Sequence, residues 1–461
     1  MSGGHTDDPP NDVDTEPARV RRPARAGFLR RTFHGLQTRN YRLFFTGQTV
    51  SAVGTWMQRV AQDWLILELG GGALELAIGL ALQSGPVLLL GMWGGLLTDR
   101  HNTRRVLLVS QIGFAVLALI LGVLVLTDHA TLELVYVMAF GLGIANIVDK
   151  PARHSFVLEL VGEEGAANAV SLNSSINNAA RLIGPAVASI VIAVSSVAVA
   201  FLVNAGTFAA IIVALLMMDP KSLHARETAP AGRGQILEGL RSSMARPELR
   251  APLLATLILS TLSQNFRITL PLMATQIFGR GVGGYGLLMS ALGAGALLGA
   301  LTTAHLARPS QRLAGLAALG FGVVLLLAAV APAYALLAVL MVGVGVGSTS
   351  FNATSQTILL LRSDSDKRGR LMAIRELFSN GLSPVGVIGI GWVCAATSPR
   401  VALAVGGVAA IGAAVLMFRD REPFRSDSLV AEERADGSAR DGSMTIGPSD
   451  HGPRGQGRDD D

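Results

Sequence analysis

The stretch GGLLTDRHNTRRVLL, residues 94–108, places four charges in a short bend between two apolar runs. The charged residues are Asp99, Arg100, Arg104 and Arg105. Half of the 461 residues are hydrophobic and only 15% are charged, against about a quarter in a soluble protein. The charges concentrate at bends and at both ends, as expected when apolar segments cross a membrane.

The apolar runs are about 20 residues long, which is the length that a helix needs to cross a bilayer core. They are continuously apolar, so helices are predicted and the alternating strands of a barrel are excluded. The mean hydropathy is +0.47. The sequence predicts twelve spans, at 43–66, 75–97, 106–127, 132–152, 166–193, 197–218, 252–276, 284–306, 312–330, 334–358, 371–396 and 400–418.

Basic residues lie almost entirely on one side of these predicted spans. The bends after odd-numbered spans contain only Arg280 and Arg400. Cytoplasmic loops carry the excess of arginine and lysine, so we expect an inner-membrane protein with both termini in the cytoplasm. The basic residues of the even-numbered bends are Arg100, Arg104, Arg105, Lys150, Arg153, Lys221, Arg226, Arg233, Arg241, Arg246, Arg250, Arg308, Arg312, Arg362, Lys367, Arg368 and Arg370.

The polar segment 219–250 divides the spans into two groups of six, so we predict two helical bundles, 41–218 and 251–418, joined by a cytoplasmic linker. The tails 1–40 and 419–461 are polar and are predicted to be disordered. An internal repeat supports the division. The residues that recur in both halves are Gly141 and Gly143 with Gly343 and Gly345, and Pro185 with Pro384.

The bend also matches a known signature. Its matching residues are Gly95, Asp99, Arg100, Arg104 and Arg105. With the stretches GTWMQRVAQDWLILEL, KPARHSFVLELV and RGRLMAIRELF, the sequence resembles the major facilitator superfamily, in the exporter branch that includes the enterobactin exporter. Asn102 replaces a usual glycine and Thr103 a usual basic residue. The resemblance implies an all-α membrane fold of twelve helices in two pseudo-symmetric bundles.

The resemblance also implies a cytoplasmic gate. By this resemblance Asp99 caps the start of span 11, near residues 369–371. It also joins a charge network in which Asp149 lies opposite an arginine of the bend. A helix start favours an anion. Arg375 and Glu376 lie one turn into span 11 and are assigned to the same gate. The alternative is that Asp99 is a solvated turn residue.

Charged residues inside the spans are functional candidates, because they need a cavity or a partner. Arg59 and Asp63 are four residues apart and can pair with each other. They are also the candidates for coupling to protons, which the resemblance implies, together with Glu376. Arg267 lies near mid-membrane before Pro271, and the alternative is a structural arginine bonded to backbone carbonyls. The predicted cavity residues are Gln58, Asn177, Arg181, Gln264, Asn265 and Arg267.

Gly184 and Pro185 match the glycine–proline motif that exporters of this superfamily carry in span 5, so export is favoured. The chain has no GxxxxGK nucleotide loop and no HExxH metal site. We therefore expect a monomeric secondary transporter that exports a small molecule, siderophore-like or drug-like, by alternating access with proton antiport. It needs no cofactor or metal and binds no nucleic acid. Proton-coupled uptake is the alternative, and an intramembrane enzyme is less favoured.

The charge distribution predicts the topology directly. A reporter tag at residue 230 should face the cytoplasm and one at residue 281 the outside, because basic residues stay on the cytoplasmic side. Labelling of single cysteines in intact cells with an impermeant maleimide measures this. Labelling at 230 without permeabilisation would reverse the assignment.

Overall fold

The computed structural model describes residues 38–224, 241, 243–305, 309–363 and 368–419. Within these ranges it does not describe the side chains of Met92, Leu96, Asp99, Glu163, Glu164, Ala167 and Gly381. The predicted tails, apart from residues 38–40 and 419, and residues 225–240 of the predicted linker lie outside the described residues. Their predicted disorder and cytoplasmic location stay predictions.

The described residues form twelve long helical segments and contain no β-strand. α4 and α5 run into each other and are separated at Gly162, where φ is +68°. The segments are α1 (Arg39–Glu68), α2 (Ala73–Arg100), α3 (Thr103–Leu126), α4 (Leu132–Gly162), α5 (Asn168–Val194), α6 (Val197–Met217), α7 (247–277), α8 (Val282–His305), α9 (Gln311–Ala329), α10 (Tyr334–Arg362), α11 (Arg368–Ala396) and α12 (Pro399–Arg419).

Ten of the twelve segments are long and apolar enough to cross a membrane. The other two are α1, which contains Arg59 and Asp63, and α7, which is interrupted at Gln264 and Asn265. Both pack among other helices, so their polar groups are shielded from lipid by protein. The fold is an all-α membrane protein of two six-helix bundles, α1–α6 and α7–α12, as expected.

The predicted end of the fourth span was wrong. The charged stretch at residues 149–153 predicts a bend, but α4 continues through Pro151 to Gly162. Asp149 and Arg153 form an ion pair of 2.9 Å one turn apart, which makes both charges compatible with a helix interior. Lys150 and Arg153 therefore belong to the helix and not to a bend.

Successive helices run in opposite directions, so their connections alternate between two faces of the molecule. We call the face that carries connections 69–72, 127–131, 195–196, 278–281, 330–333 and 397–398 the odd face. The opposite face, which carries the connections after the even-numbered helices, is the even face. These two names refer only to the fold.

Glycines allow corresponding helices to pack closely in each bundle. A Cβ at Gly143 of α4 would lie 2.6 Å from the carbonyl oxygen of Gln83 in α2. At Gly345 of α10, the carbonyl of Leu292 in α8 leaves no room for a Cβ. The α2–α4 and α8–α10 contacts are thus equivalent in the two bundles, as the sequence repeat indicated.

The two bundles meet through α5–α8 and α2–α11. Ser189 and Gly286 are in contact toward the odd face, and a Cβ at Gly293 would lie 2.7 Å from the carbonyl oxygen of Arg181. In the second contact, Gly391 of α11 packs directly on Ala77 near the start of α2. These glycine contacts bring the backbones of the two bundles together near the odd face.

Toward the even face the bundles separate. Pro185 and Ser189 of α5 are buried against α8, whereas Ser171 and Ser175, on the same face of α5, are exposed. Exposed hydroxyls at this depth require a hydrated space and not lipid. The interface is therefore closed near the odd face and open toward the even face.

Gly391→Leu tests this closure. Adding bulk at Gly391 should disfavour the α2–α11 contact by about 1–3 kcal/mol, and labelling of the buried thiol of Cys394, the single cysteine of the chain, should accelerate. The measurement is the rate of maleimide labelling of purified protein. The control is Gly389→Leu on the same helix, where a Cβ meets no atom within 4 Å. Equal rates in the two variants would contradict the assignment.

Candidate functional site

An ion pair joins the two bundles. The Asp63 carboxylate of α1, only 1% exposed, accepts hydrogen bonds from Arg267 of α7. Arg267 Nε lies 2.9 Å from Asp63 Oδ2 and Arg267 Nη2 lies 2.7 Å from Asp63 Oδ1. This bidentate geometry is the strongest form of the arginine–carboxylate pair. It corrects the expectation that Asp63 pairs with its neighbour Arg59.

Two further helices complete the arrangement around this pair. The Tyr285 hydroxyl of α8 donates to Asp63 Oδ2 at 2.7 Å. Arg267 Nη1 donates to Gln83 Oε1 of α2 at 2.9 Å, and Nη2 lies 3.5 Å from the carbonyl oxygen of Arg59. The Asp63 cluster, which consists of Asp63, Arg267, Tyr285 and Gln83, thus joins two helices of each bundle.

The interruption of α7 positions Arg267. The backbone leaves helical geometry at Gln264 and Asn265, after a π-helical turn at Leu259–Ser263, and resumes it at Phe266. The break therefore precedes Pro271, which lies inside the resumed helix. It turns Gln264, Asn265 and Arg267 toward the space between the bundles.

A cavity of about 220 Å³ occupies that space. Both bundles contribute polar groups to its wall, so a ligand there would contact both. Four of the predicted cavity residues, Arg181, Gln264, Asn265 and Arg267, line it. Its lining is Trp56, Leu80, Gln83, Ser84, Arg181, Gln264, Asn265, Phe266, Arg267, Met289, Leu292, Ser383 and Val387.

The indole of Trp56 lies between two arginines. The guanidinium carbon of Arg59 is 4.3 Å from the ring centroid and that of Arg181 is 5.7 Å from it. Both distances fall within the range of cation–π attraction. Gly184 packs against the backbone of α1 beside Trp56, which is the close helix contact expected of the Gly184–Pro185 motif.

Two predicted cavity residues lie elsewhere. Gln58 is 5% exposed and accepts a hydrogen bond from Asn204 of α6 inside the first bundle. It does not line the cavity, because it points away from it. Trp56 and Asp63 share the helix face that is directed toward the second bundle, and Gln58 lies on the opposite face of α1. Asn177 is exposed one turn before Arg181 and donates to the carbonyl oxygen of Asn173. It borders the opening toward the even face rather than the cavity.

The predicted gate differs from the structure at Asp149. Its carboxylate accepts hydrogen bonds from Ser110 and Gln111 of α3 and from Arg153 of its own helix, at 2.7–3.0 Å. Arg153 also donates to Gln48 of α1. The expected pairing with an arginine of the bend was wrong, because these partners within the bundle lie closer. Asp149 therefore ties α1, α3 and α4 together.

The bend itself has a definite local structure. Asn102 caps α3 by accepting a hydrogen bond from the backbone N–H of Arg105. Arg104 Nε donates to the carbonyl oxygen of Leu215 at 2.8 Å, at the C-terminal end of α6, where a cation is favoured. Arg100 is exposed. The Asp99 side chain lies outside the described residues, so its capping role stays a prediction.

Gly95, the glycine of the signature, does not make a close helix contact. A Cβ at Gly95 would meet no atom within 4 Å, whereas Gly94 packs against the carbonyl of Ile147 in α4. Gly94, which the sequence interpretation passed over, makes the close contact between α2 and α4. No contact of the described residues explains a requirement for glycine at position 95.

The remaining gate candidates lie on α11. Arg375 donates to the carbonyl oxygen of Asn352 at 3.4 Å, and its buried Nε has no hydrogen-bond partner among the described residues. Glu376 is exposed and accepts a hydrogen bond from Asn380 at 2.6 Å. It is also near enough to Lys150 of α4 to attract it. Arg375 and Glu376 thus lie beside the opening between the bundles.

Three residues of the site were missed from the sequence. Trp56, Gln83 and Tyr285 lie in otherwise apolar runs and have no distinctive spacing. A signal was available only for Trp56 and Asp63, which are seven residues apart and share one face of a helix. Gln83 and Tyr285 become recognisable only when α2 and α8 pack together with α1 and α7.

The fold and the cavity between two bundles define a membrane transporter, and comparison with known proteins agrees. Residues 31–439 match the model of the family described as Transmembrane secretion effector. The match covers most of the chain, so the chain belongs to this family. The predicted resemblance to major facilitator transporters is confirmed, and relatives include an MFS-type transporter of Bacillus subtilis, YfiS.

Named relatives act in efflux and siderophore transport. The Multidrug efflux pump Tap of Mycolicibacterium fortuitum is 27% identical over 75% of this chain and 87% of its own length. The Enterobactin exporter EntS of Shigella boydii is 25% identical over 58% of this chain and 65% of its own. The Staphyloferrin A transporter of Staphylococcus aureus is 29% identical over 35% of this chain. The chain matches only 41% of the length of that last relative.

A solved structure shows the same fold. A bacterial homolog of the human lysosomal transporter Spinster, crystallised in an inward-facing and unoccupied conformation, aligns with a TM-score of 0.61 at 13% identity. The alignment covers 84% of this chain and 95% of that one. The protein is thus a multi-pass major facilitator transporter with efflux-type relatives, and not an enzyme.

Arg267→Lys tests the Asp63 cluster. An ammonium cannot engage both Asp63 oxygens and Gln83 in one plane, so we expect transport to fall by about tenfold or more. Tyr285→Phe removes a single donor and should cause a smaller loss. The measurement is transport of enterobactin and staphyloferrin A across the membrane of vesicles containing equal amounts of protein. Unchanged transport by Arg267→Lys would show that the paired geometry is not required.

Proposed function

We propose that the protein is a secondary exporter of a small organic molecule, driven by proton antiport. It lies in the cytoplasmic membrane with its even face and both termini in the cytoplasm. The efflux activities named for its relatives support export over uptake. The arginines of the bends after the even-numbered helices, Arg100, Arg104 and Arg105 among them, support the orientation.

One observation carries this proposal. The Asp63–Arg267 ion pair joins the bundles beside the cavity, while the interface opens toward the even face. Such an arrangement is one of the two states that alternating access requires, here open to the cytoplasm. In the other state the contacts at Gly286 and Gly391 separate, and the cavity opens to the outside.

Asp63 is the proposed proton carrier. Its neighbours are Arg267 of α7, Tyr285 of α8 and Arg59 of its own helix. Gln83 of α2 contacts Asp63 only indirectly, because it binds Arg267. When the odd face opens, Asp63 loses Arg267 and takes a proton from the outside. When the odd face closes, Arg267 pairs with Asp63 again and stabilises its ionised form. The proton therefore leaves Asp63 through the cavity to the cytoplasm. Each cycle then moves one proton inward as substrate moves outward.

Asp63→Asn tests the coupling. The amide cannot carry a proton, so export should lose its acceleration by an inward proton gradient, which we expect to be about tenfold in the unaltered protein. The measurement is export of enterobactin and staphyloferrin A by purified protein in vesicles, with and without the gradient. Passive exchange of substrate should persist, since the cavity remains.

Asp128→Asn is the matched control. Asp128 is exposed on the odd face with φ of +57°, a conformation that asparagine also tolerates. It should transport normally. A gradient response retained by Asp63→Asn would exclude Asp63 as the carrier, and gradient-driven accumulation in the opposite direction would favour uptake.

A further inference from the structure

The side chains in and beside the cavity carry more positive than negative charge. Arg59 lies close enough to Arg181, Arg267 and Asp63 for electrostatic interaction with all three. Asp63 is the single acid among these four groups, and it is paired with Arg267. Neither Arg59 nor Arg181 forms a salt bridge with a carboxylate within the described part of the chain. Two positive charges therefore remain uncompensated in the membrane-spanning region.

Most donors of Arg267 are already engaged by protein groups in this state. Its Nε, Nη1 and Nη2 atoms all donate to protein oxygens, those of Asp63, Gln83 and Arg59. Arg181 differs, because its buried Nε has no hydrogen-bond partner among the described residues although the side chain lines the cavity. Arg181 is therefore the cavity cation with an unsatisfied donor, whereas Arg267, which lines the cavity as predicted, is paired with Asp63.

An uncompensated arginine within a membrane is costly, and a buried unpaired donor adds to the cost. A ligand anion would supply both the charge and the acceptors. Trp56 lines the cavity beside Arg181, so a planar group in the cavity can pack against the indole while an anionic group reaches the guanidinium. Ser84, Gln264 and Asn265 provide additional polar groups nearby.

We propose that the substrate is an organic anion with a planar group. Its anionic group binds Arg181, Arg59 adds positive charge beside Trp56, and its planar group packs on Trp56. This inference rests on the proposed export function, whose substrate class it specifies. The same charges disfavour lipophilic cations, which would meet two repelling guanidiniums in a region of low dielectric constant. Lys150, exposed at the level of the opening, extends the positive path toward the even face.

Three matched probes test the charge preference. They are 2-naphthoate, 2-naphthamide and 2-naphthylmethylammonium, which share one ring system and differ in charge. Equilibrium dialysis against purified protein measures binding without requiring transport. We expect saturable binding of the naphthoate, with an affinity at least about tenfold above that of the amide, and none of the ammonium compound.

Variants locate the site. Arg181→Gln and Arg59→Gln should each weaken naphthoate binding by about tenfold and leave the amide unchanged. Trp56→Leu should weaken both. Arg181→Lys keeps the charge and should give an intermediate affinity, which provides a second test if the glutamine variant does not fold. The control is Arg280→Gln, since Arg280 lies over the Tyr334 ring in the connection 278–281 at the odd face.

The outcomes separate this inference from the proposed export function. Tighter binding of the ammonium compound, equal affinities for all three probes, no saturable binding of naphthoate, or naphthoate binding that is unchanged in Arg181→Gln would each overturn it. Gradient-driven export could still hold in those cases. Conversely, naphthoate binding that depends on Arg181 in a protein without gradient-driven export would support the anion site and contradict the export function.

Discussion

A carboxylate buried at membrane depth needs a cation, and the cation that neutralises Asp63 comes from the other bundle. This requirement determines how the two halves meet. Arg267 can reach Asp63 only because α7 breaks at Gln264 and Asn265, and the pair exists only while the bundles are closed around it. Separating them would expose two charges that must find water, a proton or a ligand. The Asp63–Arg267 pair therefore favours the closed arrangement of the interface.

The bundles themselves are held together by contacts that do not cross the interface. Asp149 joins α1, α3 and α4, and Arg104 caps the end of α6. Glycines such as Gly143 and Gly345 allow the backbones of corresponding helices to touch. Because these contacts lie within one bundle, they do not depend on the α5–α8 and α2–α11 contacts between the bundles.

The distribution of charge in the cavity separates two tasks. The pair Asp63–Arg267 is neutral as a unit and stabilises closure. Arg59 and Arg181 lie beside Trp56 without a salt bridge, and Arg181 has an unsatisfied donor at the cavity. A transporter gains from this separation, because a residue that both closed the interface and bound substrate would have to exchange one partner for the other in every cycle.

The sequence alone was sufficient for the membrane class, the twelve helices, the division into two bundles and the superfamily, because span length, hydropathy and the charged bend at 94–108 are local properties. It also placed Arg181, Gln264, Asn265 and Arg267 at a depth where they line the cavity. Partners were decided by the tertiary structure: Asp63 lies 204 positions from Arg267, and no local spacing relates them. Gln58 and Asp149 bind partners inside the first bundle for the same reason. A buried polar side chain needs a hydrogen-bond partner, and the packing of the helices decides which partner is in reach.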